Sequence, residues 1–344
     1  MIYLELKPLH TVADAQEMLQ KAVGVEFGTL PPYLYALYSI LPGTNAKAQQ
    51  LIKSVALEEM IHMCLACNIL NAIGGNPVIH VQPYPGPLPG DIGPNGKALD
   101  LHLYPFSSQA MDQAMKIEQP VDPPHLPIVE MLELAPAKKK PVTIGQFYNA
   151  LDTFLGTLPD SAWIPNRNQL DDSQFFTGQI FAINSYKDAQ RAIHEIVSEG
   201  EGTTKGTKPD PLDFQGEVAH YYRFGEIFYD KVLTKADNPL GYQWGPVKLG
   251  VDWNGAYPAI ADPATHDFSK EPSDAQAAQN ACNLAFSQMV DALQSAVTGH
   301  SGLLGQAVSA MFRLRMAALH AFTVPLADKT KVAGPAFLYK GAPK

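Results

Sequence analysis

Cysteine is scarce: three among 344 residues. That is too few for the disulfide framework of secreted chains, so a reducing compartment is the expectation. Cys64 and Cys67 form a CxxC inside a helical pattern, without the strand-to-helix setting of a redox motif or a second CxxC to complete a zinc site. They read as small core residues. Positive charge is also short, with 25 Lys and Arg against 34 Asp and Glu, a formal charge of −9 and a pI near 5.5. No basic stripe suits a phosphate backbone, which excludes nucleic acid as the expected partner and leaves small molecules. No run of eighteen apolar residues offers a bilayer span, and the opening MIYLELKPLHTV lacks the basic-then-apolar order of an export signal. No membrane association and a cytoplasmic location are expected. Internal repeats, low-complexity tracts, a GxGxxG fingerprint and a phosphate loop are absent too, so no organic cofactor site is expected.

What is present is a globular composition, 46% hydrophobic, arranged with helical periodicity. Leu19, Ala22, Val23, Leu30, Tyr33, Leu34 and Leu37 recur at helical spacing from Thr11 to about Ser39, and LPGTN marks a turn. A second helix runs from about Ala46 to Ile73, ended by Gly74, Gly75 and Pro77, and the two form an antiparallel hairpin. Residues 76 to about 127, rich in Pro and Gly, read as a long ordered excursion. TIGQFYNALDTFLGTL carries a Thr143 cap, and INSYKDAQRAIHEIVSEGEG and DFQGEVAHYYRFGEIFYDKVL make the third and fourth helices of a second hairpin. After another irregular stretch, two further amphipathic helices follow, with Phe286, Met289, Leu293, Phe312, Met316 and Leu319 expected to face inward. The expected fold is an all-α four-helix bundle in one domain over residues 1–344. Its core lies at about 12–75 and 143–233, with long irregular loops and a helical extension at about 272–323.

The polar residues that interrupt the apolar stripes carry the chemistry. Glu59 and His62, three apart, share a helix face with Ile52, Val55, Met63 and Ala66, and Glu26 interrupts the stripe of the first helix. Positions equidistant from the turn near residue 43 lie at equal height, which sets Glu26 opposite Glu59. Glu217 and His220 repeat the ExxH spacing in GEVAHYYRF. A Glu from each of two helices and an ExxH from each of the other two is the di-metal carboxylate pattern of four-helix bundles. A pair of dications would neutralise carboxylates too costly to bury unpaired, and carboxylate with imidazole suits iron, or manganese in its place. One or two ions fit the spacing.

The third-helix ligand stays open. Height matching favours Glu195, but Glu195 falls nearly opposite the apolar stripe of Ala189, Ile193, Ile196 and Val197. Glu199 is slightly better placed, and Glu201 lies between two glycines at the helix end. Glu58 competes with Glu59 as ligand or serves as an outer partner. The remaining histidines, His10, His80, His102, His125, His194, His266, His300 and His320, have no carboxylate at a metal spacing and read as surface or hydrogen-bonded residues. Pro31 and Pro32 are expected to kink the first helix or free the carbonyls of Phe27 and Gly28, either opening a substrate cavity beside Glu26 or leaving ordinary packing.

The segments EFGTLPPYLYALYS, EEMIHMCLACNILNAIGGNP, IVSEGEGT and AHYYRFGEI, spread over residues 20 to 230, resemble the ferritin-like family of iminophenyl-pyruvate dimer synthase domains from violacein- and rebeccamycin-type pathways. The resemblance implies a ferritin-like bundle with a non-haem metal site at Glu26, Glu59, His62 and His220, and Glu201 as a further candidate. As a stand-alone domain with an added helical tail, the chain is expected to depart from the large pathway enzymes, so their reaction need not transfer. The expected function is a metal-dependent oxidase or oxygenase, with dioxygen and a small aromatic or amino-acid-derived substrate as partners. A non-catalytic metal-binding or storage protein is the alternative. A metal-free scaffold of buried ion pairs would need Lys or Arg beside Glu26 or Glu59, and the sequence shows none there. A homo-oligomer is compatible with the sequence.

Overall fold

The computed structural model describes residues 2–120, 141–171, 175–176, 178–205, 208–238 and 241–341. Helix α1 (Val12–Tyr38) starts at Thr11, whose hydroxyl accepts from the Asp14 amide at 3.2 Å while the Asp14 carboxylate accepts from the Thr11 amide at 2.8 Å, a reciprocal cap. It turns at residues 39–45 into α2 (Ala46–Ala72), which packs antiparallel along it. By length and apolarity α2 could cross a membrane, but 83% of its apolar window is buried inside the fold, so its composition is that of a core helix.

Pro31 and Pro32 lie within α1, yet the helix continues unbroken to Tyr38. Pro32 has no N–H to give the Gly28 carbonyl, and the Tyr84 hydroxyl donates to that carbonyl at 2.5 Å instead. The excursion that carries Tyr84 lies flat on this stretch. A Cβ at Gly24 would come within 2.9 Å of Pro89 Cγ, and one at Gly28 within 2.6 Å of Leu88 Cδ2, so both positions need glycine for the loop to seat. Residues 121–127 of the excursion, with His125, lie outside the described residues.

The other two columns of the bundle are each built from two short helices. Both α3 (Ser108–Ile117), inside the excursion where no helix was expected, and α4 (Ile144–Leu155) pack on α1. Both α5 (Tyr186–Glu201) and α6 (His220–Phe228) pack on α2. α3 pairs with α6 and α4 with α5, so the columns α3/α4 and α5/α6 run antiparallel and are interrupted at the same level. α6 is shorter than the sequence pattern implies. Residues 213–219 form a turn in which Asp213 Oδ1 accepts from the Gln215 and Glu217 amides at 2.8 and 2.9 Å, with Gly216 at φ 85°.

Among the described residues, three two-stranded pairs tie down loops, one of them β1 (Leu4–Glu5) with β2 (Pro141–Val142). Helices α7 (Ser273–Val297) and α8 (Leu304–Ala321) form a further hairpin, α7 against α2 and α8 against α1. Phe286, Met289 and Leu293 face inward as expected, but Phe312 and Met316 are 61% and 67% exposed. The buried stripe of α8 is Leu304, Ala307, Val308, Leu314, Ala318 and Ala321, offset from the larger residues and rich in alanine, which admits close packing against α7.

Candidate metal centre

Four of the residues marked by the sequence meet where the two columns are interrupted. Glu26 comes from α1, Glu59 and His62 from α2, and His220 opens α6; all four are 3% exposed or less. Glu118, at the C-terminal end of α3 and 7% exposed, completes the group. Ligand atoms of Glu26, Glu59 and His62 lie within 4.8 Å of one another, and so do those of Glu59, Glu118 and His220. Glu59 is common to both sets, giving a His62 half and a His220 half around a shared carboxylate. The two imidazoles lie nearly parallel, 5.5 Å apart at 22°.

His62 Nδ1 is 3.8 Å from Glu26 Oε2 and 3.7 Å from Glu59 Oε1; His220 Nδ1 is 3.0 Å from Glu59 Oε1 and 3.6 Å from Glu118 Oε2. His220 Nδ1 is buried and, despite those near carboxylates, has no aligned hydrogen-bond partner. Atoms held at about 2.1 Å by one cation lie roughly 3.0–3.4 Å apart from each other, without pointing at one another. An orphaned imidazole nitrogen facing two carboxylates fits that arrangement, and the donor set fits iron or manganese.

Each imidazole turns its other nitrogen outward to a carboxylate. His62 Nε2 lies 2.7 Å from Glu199 Oε2, and His220 Nε2 lies 2.8 Å from Glu58 Oε2. An Nε2–H donated outward leaves Nδ1 with its lone pair toward the centre. Tyrosine hydroxyls hold the two unshared carboxylates: Tyr148 donates to Glu26 Oε1 at 2.6 Å, and Tyr33 donates to Glu118 Oε1. Thr29 donates to Glu59 Oε2 at 2.8 Å.

Charge in this dry volume is heavily perturbed. Burial, with Glu118 and Glu26 alongside, pushes the Glu59 carboxyl up to about 8. Burial alone would lower His62, but Glu199 and Glu26 outweigh it and raise the imidazole to about 10. His220 is likewise held well above its ordinary value, Glu118, Glu58 and Glu59 outweighing burial. Burial would raise Glu58, yet His220 and Arg223 bring it down to about 2. Without a cation, protons on the imidazoles keep the carboxylates together; a metal would displace those protons.

The other candidates lie elsewhere. Glu195 is partly exposed and pairs with Arg191 at 2.9 Å, consistent with its position off the apolar stripe. Glu201 Oε1 accepts from the Gly145 amide at 2.9 Å, at the first turn of α4. Glu217 is exposed in the turn ahead of α6, so the second ExxH is not helical and only its histidine reaches the centre. Glu118 supplies the carboxylate in that half. Its signal was the pattern Ala110, Met111, Ala114, Met115, Ile117 running into Glu118, hidden inside a Pro- and Gly-rich stretch. Glu199 and Glu58, weighed from spacing, are the outer partners.

A small opening borders the centre, about 270 Å³ counting the part open to solvent, lined by Ile117, Glu118, Ile144, Tyr148, Ile196 and Glu201 among others. A larger apolar one of about 690 Å³, part of it open to solvent, lies between α1–α2 and α7–α8 beside Phe27, Pro31, Met63, Phe286 and Met311. None of Glu26, Glu59, His62, Glu118 and His220 lines it. Tyr33, Tyr35, Tyr221 and Tyr222 line neither cavity; each is buried in packing.

The ferritin-like family model matches residues 19–229, which hold every residue of this centre. The chain belongs to the ferritin-like family. Among solved structures, this ferritin-like chain is similar to a ferritin-like protein from Caulobacter vibrioides, a crystal structure at 1.95 Å resolution. The TM-score is 0.66 at 22% identity, covering 96% of this chain and 100% of that one, a likeness of fold. No curated protein matches the chain. The membership and the two overlapping carboxylate–histidine sets fit a dinuclear metal protein.

Proposed function

We propose that this ferritin-like protein is a dinuclear non-haem metal oxidase or oxygenase. It acts with dioxygen on a small aromatic or amino-acid-derived compound, in the manner of the iminophenyl-pyruvate dimer synthase domains it resembles. Iron is the expected metal and manganese the alternative. The observation that carries the reading is the shared Glu59 between two imidazole–carboxylate sets, next to a cavity that Glu118 and Tyr148 border. Storage needs only a route for ions, whereas the apolar wall of Ile117, Ile144 and Ile196 at the opening beside the centre gives the edge of an organic molecule a surface to approach.

A bound redox metal supplies the electron chemistry that side chains lack. The chain supplies the rest. Glu199 and Glu58 fix the imidazole orientations; Tyr148 and Tyr33 fix the carboxylates; the low exposure of all five central residues excludes bulk water. Glu201, on the cavity wall and raised to about 7 by burial, holds a proton that its carboxyl can release or take up near neutral pH. A cytoplasmic setting, with which the scarcity of cysteine agrees, belongs to the same proposal.

The test is dioxygen consumption by the iron-loaded protein with a panel of aromatic amino acids, their amines and their imino or keto derivatives. Stimulation by one class supports the proposal. A rate indifferent to every organic compound, with iron mineral accumulating, establishes the storage alternative.

A further inference from the structure

We propose that the two halves of the centre load unequally, the His62 half first and the His220 half more weakly, and that Arg223 sets the difference. This rests on the dinuclear reading above. Close to the metal position the halves match. Each has one carboxylate of its own, half of Glu59, one imidazole and one tyrosine hydroxyl on the unshared carboxylate.

The mismatch is one layer out. Glu58, behind His220, is held by Arg223, whose Nη1 lies 2.8 Å from Oε1 and 2.7 Å from Oε2. The Arg223 side chain is 6% exposed and is further fixed by Ser54 Oγ at 3.0 Å and by the Val218 carbonyl, so its charge is neither mobile nor well screened. Glu199, behind His62, has among the described residues only a neutral donor on its other oxygen, the Gln215 side-chain amide at 3.3 Å. Glu195, which also faces Glu199 and His62, is matched by Arg191. Asp213 faces both Glu199 and Arg223 and so does not separate the halves.

Glu226, three residues on in α6, also faces Arg223, but its Oε1 is engaged by the Leu233 amide at 2.7 Å, so what distinguishes the halves is the direct partner of the outer carboxylate: a guanidinium on Glu58 and a neutral side-chain amide on Glu199. An uncompensated carboxylate behind an imidazole strengthens it as a ligand and adds attraction for a dication. A carboxylate already neutralised by a guanidinium does less of both, and the guanidinium repels the ion. The expected gap in affinity is at least about tenfold.

The test is a calorimetric titration of the metal-stripped full chain with Mn²⁺, with free Mn²⁺ followed by electron paramagnetic resonance. Two steps at least about tenfold apart are expected. His220→Ala should keep the tight step and lose the weak one, and His62→Ala the reverse. Arg223→Met should tighten the weak step and narrow the gap, with circular dichroism confirming the fold. Glu199→Gln, which leaves the ion pair untouched, should loosen the tight step and serves where Arg223→Met does not fold. Two steps of equal affinity overturn the proposal. So does a tight step that His220→Ala removes and His62→Ala spares, or a gap that neither Arg223→Met nor Glu199→Gln changes. Absence of any Mn²⁺ uptake overturns the dinuclear reading itself.

Discussion

Replacing Glu59 by glutamine should make the metal-free protein more stable and the metal-loaded protein less so. Glu59 is 3% exposed and shares its volume with Glu118 and Glu26, which is why its carboxyl rises from 4.5 to about 8. A carboxyl whose folded value lies above its unfolded one binds its proton more tightly in the folded state. Its cost is therefore absent in acid, grows as pH rises from about 4.5, and is complete above about 8. At about 1.4 kcal/mol per pH unit the ceiling is about 5 kcal/mol at pH 8.5. Glutamine removes the charge: its oxygen still accepts from Thr29, and its amide nitrogen, in place of Oε1, can donate to His220 Nδ1, now 3.0 Å away, once that imidazole has given up its Nδ1 proton. In chelator, urea unfolding of Glu59→Gln at pH 8.5 should show a gain of about 2–5 kcal/mol over the wild type, shrinking toward nothing at pH 5. With Mn²⁺ at a hundred times its Kd, the wild type gains about 2.7 kcal/mol, and the variant, lacking the shared carboxylate, gains less. A metal-free variant less stable than the wild type at pH 8.5 would refute the claim that Glu59 is placed for a cation rather than for the fold.

Glu118→Ala should lower the metal content by about one ion per chain, whereas Glu195→Ala and Glu217→Ala leave it unchanged; elemental analysis of the three variants checks the ligand that the sequence did not reveal. Tyr84→Phe should cost about 1–3 kcal/mol in urea unfolding, because it strips the buried Gly28 carbonyl of the hydroxyl that stands in for the missing Pro32 N–H. Gly28→Ala should cost a similar 1–3 kcal/mol, about what overpacking typically takes, since the new methyl meets Leu88 Cδ2 at 2.6 Å, and limited proteolysis should show the 76–107 loop loosened. Met316→Gln, on the exposed side of α8, should change stability by no more than about 0.5 kcal/mol.

The first hairpin was legible because two independent rules agreed on it. Periodicity put Glu26, Glu59 and His62 on inward faces, and equal distance from the turn put Glu26 level with Glu59; the structure brings these three together. The second hairpin obeyed neither rule, because its helices are interrupted. Height matching assumes a continuous helix on both sides of the turn, and α5 ends at Glu201 while α6 begins only at His220. Eighteen residues therefore separate the two helices, twice the length of the segment TTKGTKPDP expected to join them, and Glu195, the height match, pairs with Arg191. Helical phase did identify the discrepancy at Glu195, and it gave Glu199 the better of the two positions. The ExxH at Glu217 failed for a related reason: Asp213 and Gly216 are turn formers just before it, and their local hydrogen bonds won over the helical pattern.

The interruptions that hid the second hairpin from sequence reasoning are also what give the centre its character. In a continuous column, the residue level with Glu59 would project from mid-helix with neighbours stacked above and below it. Here the level is reached by ends of helices: Glu118 terminates α3, Glu201 terminates α5, His220 opens α6, and Gly145 lies in the first turn of α4. Helix ends leave backbone groups without partners and leave space between successive elements. Glu201 takes up one such group by accepting from the Gly145 amide, and the remaining space is the small opening between Glu118, Tyr148 and Glu201. Opening of the bundle beside the centre thus comes from the broken third and fourth columns, and not from the prolines of α1. Tyr84 repairs the carbonyl that Pro32 leaves without its donor, and α1 stays whole. Substitutions that shape access to the centre are therefore expected at Ile117, Ile144 and Ile196, while those at Pro31 and Pro32 change how α1 seats its covering loop.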